Sequence, residues 1–263
     1  MTLRFTANLS WLCKEVDLPD RFALARKLGF EAVECGLPYE VSAEDFVKGW
    51  KDGGLPLIMI NAGTGDMAAG EYGLAALPGR EADFRQAIQA SLPYALPTGC
   101  RFLHVLAGIV PEGSDAEACL TTYVENLKWA CALCAEHGMQ VLIEPINTME
   151  RPGYYLTGTD QAADVIDRVG RPDIGIQYDT HNAQLMEGDI TRTLTRNFAK
   201  IHHVQVAGLP DRSPPDSGEV NHDHVFALLE TLGYDGWIGC EYRPGPDTAA
   251  TLGWAERFGI GKG

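Results

Sequence analysis

The chain has 263 residues, of which 45% are hydrophobic and 22% are charged, so it is long enough to bury a large apolar core. Its 36 acidic and 21 basic residues give a formal net charge of −15, which would repel a nucleic acid backbone or an anionic membrane surface. Seven cysteines without the spacing of a secreted disulfide framework indicate free thiols. The N-terminal residues MTLRFTANLSW lack a signal peptide pattern. We therefore expect a cytoplasmic protein with no nucleic acid or membrane partner; a homo-oligomer is left open.

Eight short apolar runs typical of β-strands occur along the chain, and each is followed by a longer stretch with helical character. The runs cover residues 4–8, 32–35, 57–61, 102–106, 141–144, 174–179, 203–206 and 237–241. Alternating strands and helices predict a parallel sheet, and eight such units in about 250 residues are typical of a TIM barrel. No linker rich in Pro, Gly or Ser divides the chain. The sequence thus predicts an α/β protein, a single (β/α)₈ barrel domain over residues 1–263.

The stretch after the fourth run shows one predicted helix in detail. Ser114 and Glu117 have the spacing of a capping box, which indicates that the helix begins there. Apolar residues then recur every three or four positions: Leu120, Val124, Leu127, Cys131 and Cys134. Because the two cysteines continue this apolar stripe, we interpret them as core residues rather than as a redox or zinc pair.

Oxygen-bearing side chains end the last four predicted strands, at Glu144, Asp179, Gln205 and Glu241. In a barrel of this kind, side chains at the carboxyl ends of the strands surround the ligand, so we expect the four to converge. Three carboxylates cannot share a dry space without compensation, and a divalent cation is the simplest compensation. An oxygen-only ligand set favours Mg²⁺ or Mn²⁺, and Zn²⁺ is also compatible. The sequence therefore predicts a metal site at these four residues.

Two histidines precede Gln205 in the seventh run. Side chains alternate along a strand, so His203 shares the inward face with Gln205 and His202 is expected to face outward. We expect His203 to orient Gln205 or the other ligands rather than to bind the metal directly.

Two further patterns resemble ligand-binding motifs but also have an ordinary structural explanation. Residues 63–68 match a dinucleotide-binding G-x-G-x-x-A form, but no clean helix follows and Asp66 would repel a pyrophosphate, so we expect no nucleotide cofactor. His222 and His224 suggest a metal clip, but Asn221 equally suggests the start of a helix with exposed histidines.

Several longer segments resemble the hydroxypyruvate isomerases, a family of the xylose-isomerase-like barrel superfamily that is close to the 2-oxo-tetronate isomerases. These segments are residues 70–81 (GEYGLAALPGRE), 144–147 (EPIN), 186–189 (MEGD), 203–205 (HVQ) and 236–242 (GWIGCEY). The resemblance extends from Asn8 to about Trp254.

This resemblance implies that Glu144 and Glu241 are the acid/base pair as well as metal ligands, with Asp179 and Gln205 completing the coordination. It implies an aldose-ketose isomerase of a small hydroxy-oxo acid, namely hydroxypyruvate to 2-hydroxy-3-oxopropanoate (tartronate semialdehyde) through an enediol or enediolate. A 2-oxo-tetronate isomerase and a ketose 3-epimerase on the same barrel are the alternatives. An abasic-site endonuclease is disfavoured by the acidic composition, and a non-catalytic ligand-binding barrel by the full ligand set.

Three residues are candidates for substrate contacts from their chemistry and position. Arg212 could clamp a substrate carboxylate, while His104 and Glu150 could contact substrate oxygens or hydroxyls. The family commonly places a histidine three residues after Asp179, whereas here His181 comes two residues after it and Asn182 three after. We therefore expect either His181 or Asn182 at the substrate. The family's Arg is also absent after Pro244.

Overall fold

The computed structural model describes residues 3–261 and contains a closed barrel of eight parallel strands. The strands are β1 (Arg4–Asn8), β2 (Ala32–Cys35), β3 (Leu57–Ala62), β4 (Phe102–Val105), β5 (Gln140–Ile143), β6 (Ile174–Asp179), β7 (Ile201–Val206) and β8 (Trp237–Cys240). Each strand pairs with the next, and β8 pairs with β1. This confirms the predicted barrel. The single domain over residues 1–263 stays a prediction, because residues 1, 2, 262 and 263 lie outside the described residues.

Helices connect the strands and cover the outside of the barrel. They are α1 (Leu18–Lys27), α2 (Ala43–Gly53), α3 (Glu81–Ala95), α4 (Ala116–Glu136), α5 (Thr159–Val169), α6 (Thr180–Met186), α7 (Ile190–Asn197) and α8 (His222–Leu232). Local chemistry determines where they end: Ser42 caps α2 by accepting from the Asp45 amide, and Gly54 ends it with a φ of 66°. Within residues 3–261, no helix is both long and apolar enough to cross a bilayer.

The structure corrects the predicted cap of α4 and the predicted exposure of a histidine at the start of α8. Helix α4 is capped by Asp115, which accepts from the amides of residues 117 and 118, whereas Ser114 donates its hydroxyl hydrogen to the carbonyl of Pro111. Cys131 and Cys134 are buried in the core, as interpreted from the sequence. Asn221 caps α8 as expected, but His222 is buried rather than exposed.

The barrel interior is apolar at the amino end of the strands and polar towards the carboxyl end. Five residues form the apolar cluster: Ala32, Ile58, Met59, Phe102 and Leu142. The register between β6 and β7 shifts at Ile176 and Gln177, so one residue of β7 is left without a partner. As a result, the His202 ring occupies the space that a Cβ on Gly175 would need, and the prediction that His202 faces outward is wrong.

Candidate active site

A cleft of about 460 Å³ opens at the carboxyl ends of the strands. Its floor includes Glu144, which directly follows β5, and Glu241, which directly follows β8. Three further lining residues lie within regular elements, Asn61 on β3, Gln177 on β6 and Asn182 on α6. The others come from the segments that follow the strands: Ser10, Trp11, Lys14, Gly36, Leu37, Met67, Tyr72, Ile146, Glu150, Arg151, Arg212 and Arg243.

Of the four predicted metal ligands, Glu144 and Glu241 line this cleft, and Asp179 and Gln205 are buried next to them. Glu144, Asp179 and Glu241 each offer one carboxylate oxygen within 4.8 Å of the others. Gln205 is fully buried on β7, and its Oε1 accepts a hydrogen bond of 2.8 Å from Gln177 Nε2. The same Gln177 nitrogen donates to Glu144 Oε2 at 2.8 Å, so Gln205 Oε1 faces the acidic residues.

The orientation of Gln205 is determined by Glu34, a residue that the sequence analysis missed. Glu34 lies on β2, is fully buried, and accepts hydrogen bonds from Thr6 (2.9 Å), Asn8 (2.9 Å), His203 (2.7 Å) and Gln205 Nε2 (2.6 Å). Because the Gln205 amide nitrogen points down to this carboxylate, its oxygen points up to the site. Burial opposes ionisation of Glu34, but the adjacent His203 and the donors hold its pKa below the ordinary value. An acidic residue inside a buried apolar strand was the available signal.

Arg212 is the buried cation of the site. One terminal nitrogen donates to Asp179 Oδ2 at 2.7 Å and to Glu241 Oε2 at 2.6 Å, and the other donates to Glu150 Oε2 at 3.2 Å. The guanidinium also lies 4.9 Å from the centre of the Trp11 ring. The backbone of Arg212 has a φ of 54°, a left-handed conformation that is strained for a residue with a side chain.

The charges of the site fit a divalent cation. Burial, together with the negative charges of Glu241 and Asp179, raises the pKa of Glu144 well above its usual value. Burial also raises the pKa of Glu241 to about 7, although Arg212 opposes this. One guanidinium therefore leaves the three carboxylates short of positive charge, and the oxygen donors are those that hard cations prefer.

His104 is buried beside Glu144. Burial lowers its pKa to about 3, so the imidazole is neutral at neutral pH. Its Nδ1 contacts Asn61 Oδ1 at 2.9 Å, and because a carbonyl oxygen only accepts, Nδ1 carries the hydrogen. Nε2 is therefore a free acceptor that faces Glu144 Oε2 at 3.5 Å.

Asn182 and His181 have different surroundings. Asn182 lines the cleft, and its Nδ2 donates to Glu144 Oε1 at 2.9 Å and to Asp179 Oδ2 at 3.0 Å. His181 is buried, with Nδ1 at 3.2 Å from the carbonyl of Gly208 and Nε2 at 3.9 Å from Glu150. Of the two alternatives, Asn182 is therefore the residue that reaches the acidic cluster.

Trp11 is a further lining residue that the sequence analysis missed. Its Nε1 donates to Glu241 Oε1 at 3.0 Å, and Asn8 Nδ2 donates to the same oxygen at 3.2 Å. These two donors come from β1 and the loop after it, where the sequence analysis singled out no site residue. They orient one oxygen of Glu241, while Arg212 holds the other.

Comparison with known proteins places this chain in a family. Residues 22–258 match the family described as Xylose isomerase-like TIM barrel. The chain is 47% identical over 255 residues to the 2-oxo-tetronate isomerase of Cupriavidus necator, covering 97% of this chain and 98% of that protein. It is 41% identical to the hydroxypyruvate isomerase of Escherichia coli, covering 97% and 99% of the two chains.

Solved structures agree on the fold. A crystal structure described as an AP endonuclease, family 2, from Brucella melitensis has a TM-score of 0.94 and 42% identity, covering 97% of this chain and 99% of that chain. A D-psicose 3-epimerase structure, at 16% identity and a TM-score of 0.75, covers 91% and 85% of the two chains and shares the fold. The chain belongs to the xylose isomerase-like TIM barrel family and, within it, to the hydroxypyruvate isomerase family.

Proposed function

We propose that this protein is a metal-assisted aldose-ketose isomerase that converts hydroxypyruvate to 2-hydroxy-3-oxopropanoate. The observation that carries the proposal is the pair Glu144 and Glu241, which come from β5 and β8 and both line the cleft. Asp179 also offers a carboxylate oxygen within 4.8 Å of theirs. This arrangement supplies two proton carriers and a set of oxygen ligands in one small space.

The reaction requires the removal of a proton from C3 of the substrate and its return to C2, through an enediol or enediolate. Glu241 suits this task because it lines the cleft with one oxygen held by Trp11 and the other by Arg212, so it is positioned to accept the proton from one carbon and return it to the next. Glu144 is the second proton carrier, and it acts at C2 or at a substrate oxygen. Gln177 and Asn182 each donate a hydrogen bond to Glu144, which fixes the direction of both its oxygens.

The residues that would hold the divalent cation are Glu144, Asp179, Gln205 and Glu241, and their oxygen donors favour Mg²⁺ or Mn²⁺. When bound, such a cation acts as a Lewis acid towards the adjacent oxygens of the substrate. Arg212 has a separate role in this proposal: it holds Asp179, Glu241 and Glu150 in place around the cleft. His104, with a neutral imidazole, contacts a substrate oxygen or the proton of Glu144.

A four-carbon 2-oxo-tetronate is the second candidate substrate. The 47% identity to the Cupriavidus necator 2-oxo-tetronate isomerase favours it, and it undergoes the same proton transfer. The cleft of about 460 Å³ is large enough for either acid.

We also propose a cytoplasmic location and a small-molecule partner. All seven cysteines are buried free thiols, which supports a reducing cytoplasm, and the net charge of −15 supports a small-molecule partner rather than a nucleic acid.

The substrate is tested by steady-state kinetics with the Mg²⁺-loaded and the Mn²⁺-loaded protein. Hydroxypyruvate, the 2-oxo-tetronates and D-fructose are compared by kcat/KM, with the products identified by NMR. We expect one of the acids to be converted to the isomer in which the carbonyl group has moved from C2 to C3. Conversion of D-fructose to its C3 epimer, with no isomerisation of either acid, would instead establish the epimerase alternative.

A further inference from the structure

We propose that Lys14 and Arg243 bind the carboxylate of the substrate at the mouth of the cleft. This inference rests on the proposed function, because it assigns the part of the site that recognises an acid. The subsite lies where the loop after β1 meets the loop after β8, on the side of the cleft that contains Trp11.

Arg212 is not free to act as this carboxylate clamp. Both of its terminal nitrogens donate to carboxylates of the protein, namely Glu150, Asp179 and Glu241, and its Nε donates to the backbone oxygen of Glu241 at 3.2 Å. Four of its five N–H groups are used in these contacts, so a substrate carboxylate could accept only one hydrogen bond from Arg212 and would lie among three negative charges. A cation that is free to pair fully with the substrate carboxylate must therefore lie elsewhere.

Lys14 and Arg243 have the required freedom. Both are exposed residues that line the cleft, and among residues 3–261 neither has a carboxylate oxygen within 4.0 Å. The Arg243 guanidinium lies 5.2 Å from the centre of the Trp11 ring, whose Nε1 donates to Glu241 Oε1 at 3.0 Å. Trp11 therefore contacts both Arg243 and Glu241 of the acidic cluster. In our proposal a three-carbon acid has its carboxylate at Arg243 and its other oxygens near the floor of the cleft.

A third cation on the opposite wall is less suited to the role. Arg151 lies 4.4 Å from the centre of the Tyr72 ring, and its NH1 donates to the carbonyl of Glu150 at 2.9 Å. Arg151 also lies on the loop after β5, whereas Lys14 and Arg243 lie on the loops after β1 and β8, which are neighbouring strands. Because Arg151 lines the same cleft and carries the same charge, it provides a matched control.

The positive charges of Lys14 and Arg243 are opposite in sign to the net charge of the chain. With a net charge of −15, the protein as a whole repels a small anion. Lys14 and Arg243 place two positive charges at the mouth and can give the substrate carboxylate charge-assisted hydrogen bonds.

The test compares hydroxypyruvate with dihydroxyacetone, which has a neutral CH₂OH group in place of the carboxylate. In the Mg²⁺-loaded protein, we expect Arg243→Gln to lower kcat/KM for hydroxypyruvate by about 10- to 100-fold, mainly through KM, and Lys14→Gln by about 5- to 10-fold. Both variants should leave the low kcat/KM for dihydroxyacetone within about twofold of wild type. Arg151→Gln should change both values by less than about threefold. Equal losses for the two substrates, or losses as large in Arg151→Gln, would overturn the assignment.

Failure of the proposed function is distinguishable from failure of this subsite. If the wild type converts neither compound, hydroxypyruvate is excluded as the substrate, and the subsite is then judged by calorimetric binding of D-glycerate, an unreactive three-carbon acid. Weaker binding by about tenfold or more in Arg243→Gln, but not in Arg151→Gln, supports the carboxylate subsite. Equal binding by wild type and Arg243→Gln overturns it.

Discussion

Glu34 accepts hydrogen bonds from four side chains inside the barrel, and one of them is the Gln205 amide. A carboxylate only accepts, so it distinguishes the two ends of that amide and turns the oxygen towards the predicted metal ligands. The contact joins β2 to β7, which are far apart in the sequence, and no pattern within either strand indicates it. The acidic residue in an apolar strand could have marked Glu34 as unusual, but the sequence did not show that its partner is Gln205.

We predict that Glu34→Gln weakens metal binding by about 10- to 100-fold, because a neutral amide at position 34 no longer dictates the orientation of Gln205. Isothermal titration of the metal-free protein with Mn²⁺ measures this. Glu187→Gln is the control, since Glu187 accepts two hydrogen bonds from Thr159 and does not line the cleft. Unchanged affinity in Glu34→Gln would remove Glu34 from the metal site.

We predict that Glu144→Gln stabilises the metal-free protein increasingly as pH rises. Burial and neighbouring carboxylates raise the folded-state pKa of Glu144 well above 4.5, so its contribution to stability is complete below the unfolded-state pKa and is lost as pH rises above it. Glutamine resembles the protonated side chain and does not incur this loss. Urea unfolding in EDTA at pH 5 and pH 8 should show the larger advantage of the variant at pH 8.

Saturating Mg²⁺ should reverse the order of stability at pH 8, because the wild-type carboxylate is then a ligand and the amide is a weaker one. A variant that is equally stable relative to wild type at both pH values in EDTA would contradict the raised pKa of Glu144.

At the scale of elements, the strands were predictable because parallel strands buried on both faces form continuous apolar runs. The position of the four site residues at strand ends followed from the same pattern. The helix start was predicted wrongly because two adjacent residues, Ser114 and Asp115, can both cap a helix. The sequence does not show that Asp115 is the cap. The shift in register between β6 and β7 likewise turned His202 inward against strict alternation.

Strand β8 reaches the site only because it has a glycine opposite Glu34. A Cβ on Gly239 would lie 2.6 Å from Glu34 Oε2 and in closer contact with Oε1. We predict that Gly239→Ala destabilises the protein by about 1–3 kcal/mol and also weakens Mn²⁺ binding, because the carboxylate must move. Urea unfolding and calorimetry measure the two effects.

Gly253→Ala is the matched control for this prediction. No atom lies within 4 Å of the added Cβ, and the backbone is not in the left-handed region, so the change in stability should stay within about 0.5 kcal/mol. A similar small change in Gly239→Ala would mean that β8 tolerates a side chain there.

At the scale of the whole molecule, closure of the barrel brings residues from β5 to β8 into one cluster with excess negative charge. We predict that Mg²⁺ at about 100 times its Kd stabilises the wild type by about 2.7 kcal/mol, since it binds the folded state alone. Thermal unfolding with and without Mg²⁺ measures the shift. The double variant Glu144→Gln/Glu241→Gln should show little shift, and an equal shift in that variant would place the ion elsewhere.

The barrel and the acidic residues at its strand ends were predictable from the sequence because they depend on strand order alone. The partners of Arg212 were not, since its contacts with Asp179, Glu150 and Glu241 require loops after three different strands to meet. The sequence therefore suggested a substrate clamp at Arg212, whereas the geometry shows a residue occupied by the protein's own carboxylates.

The most direct test of the account is deuterium incorporation into hydroxypyruvate in D₂O, followed by proton NMR at saturating Mg²⁺. The account predicts that wild type replaces the hydrogen on the carbon next to the carbonyl, and that Glu241→Gln does so about 10³-fold more slowly while remaining folded. Exchange at the wild-type rate in Glu241→Gln would contradict the proposed proton transfer by this residue.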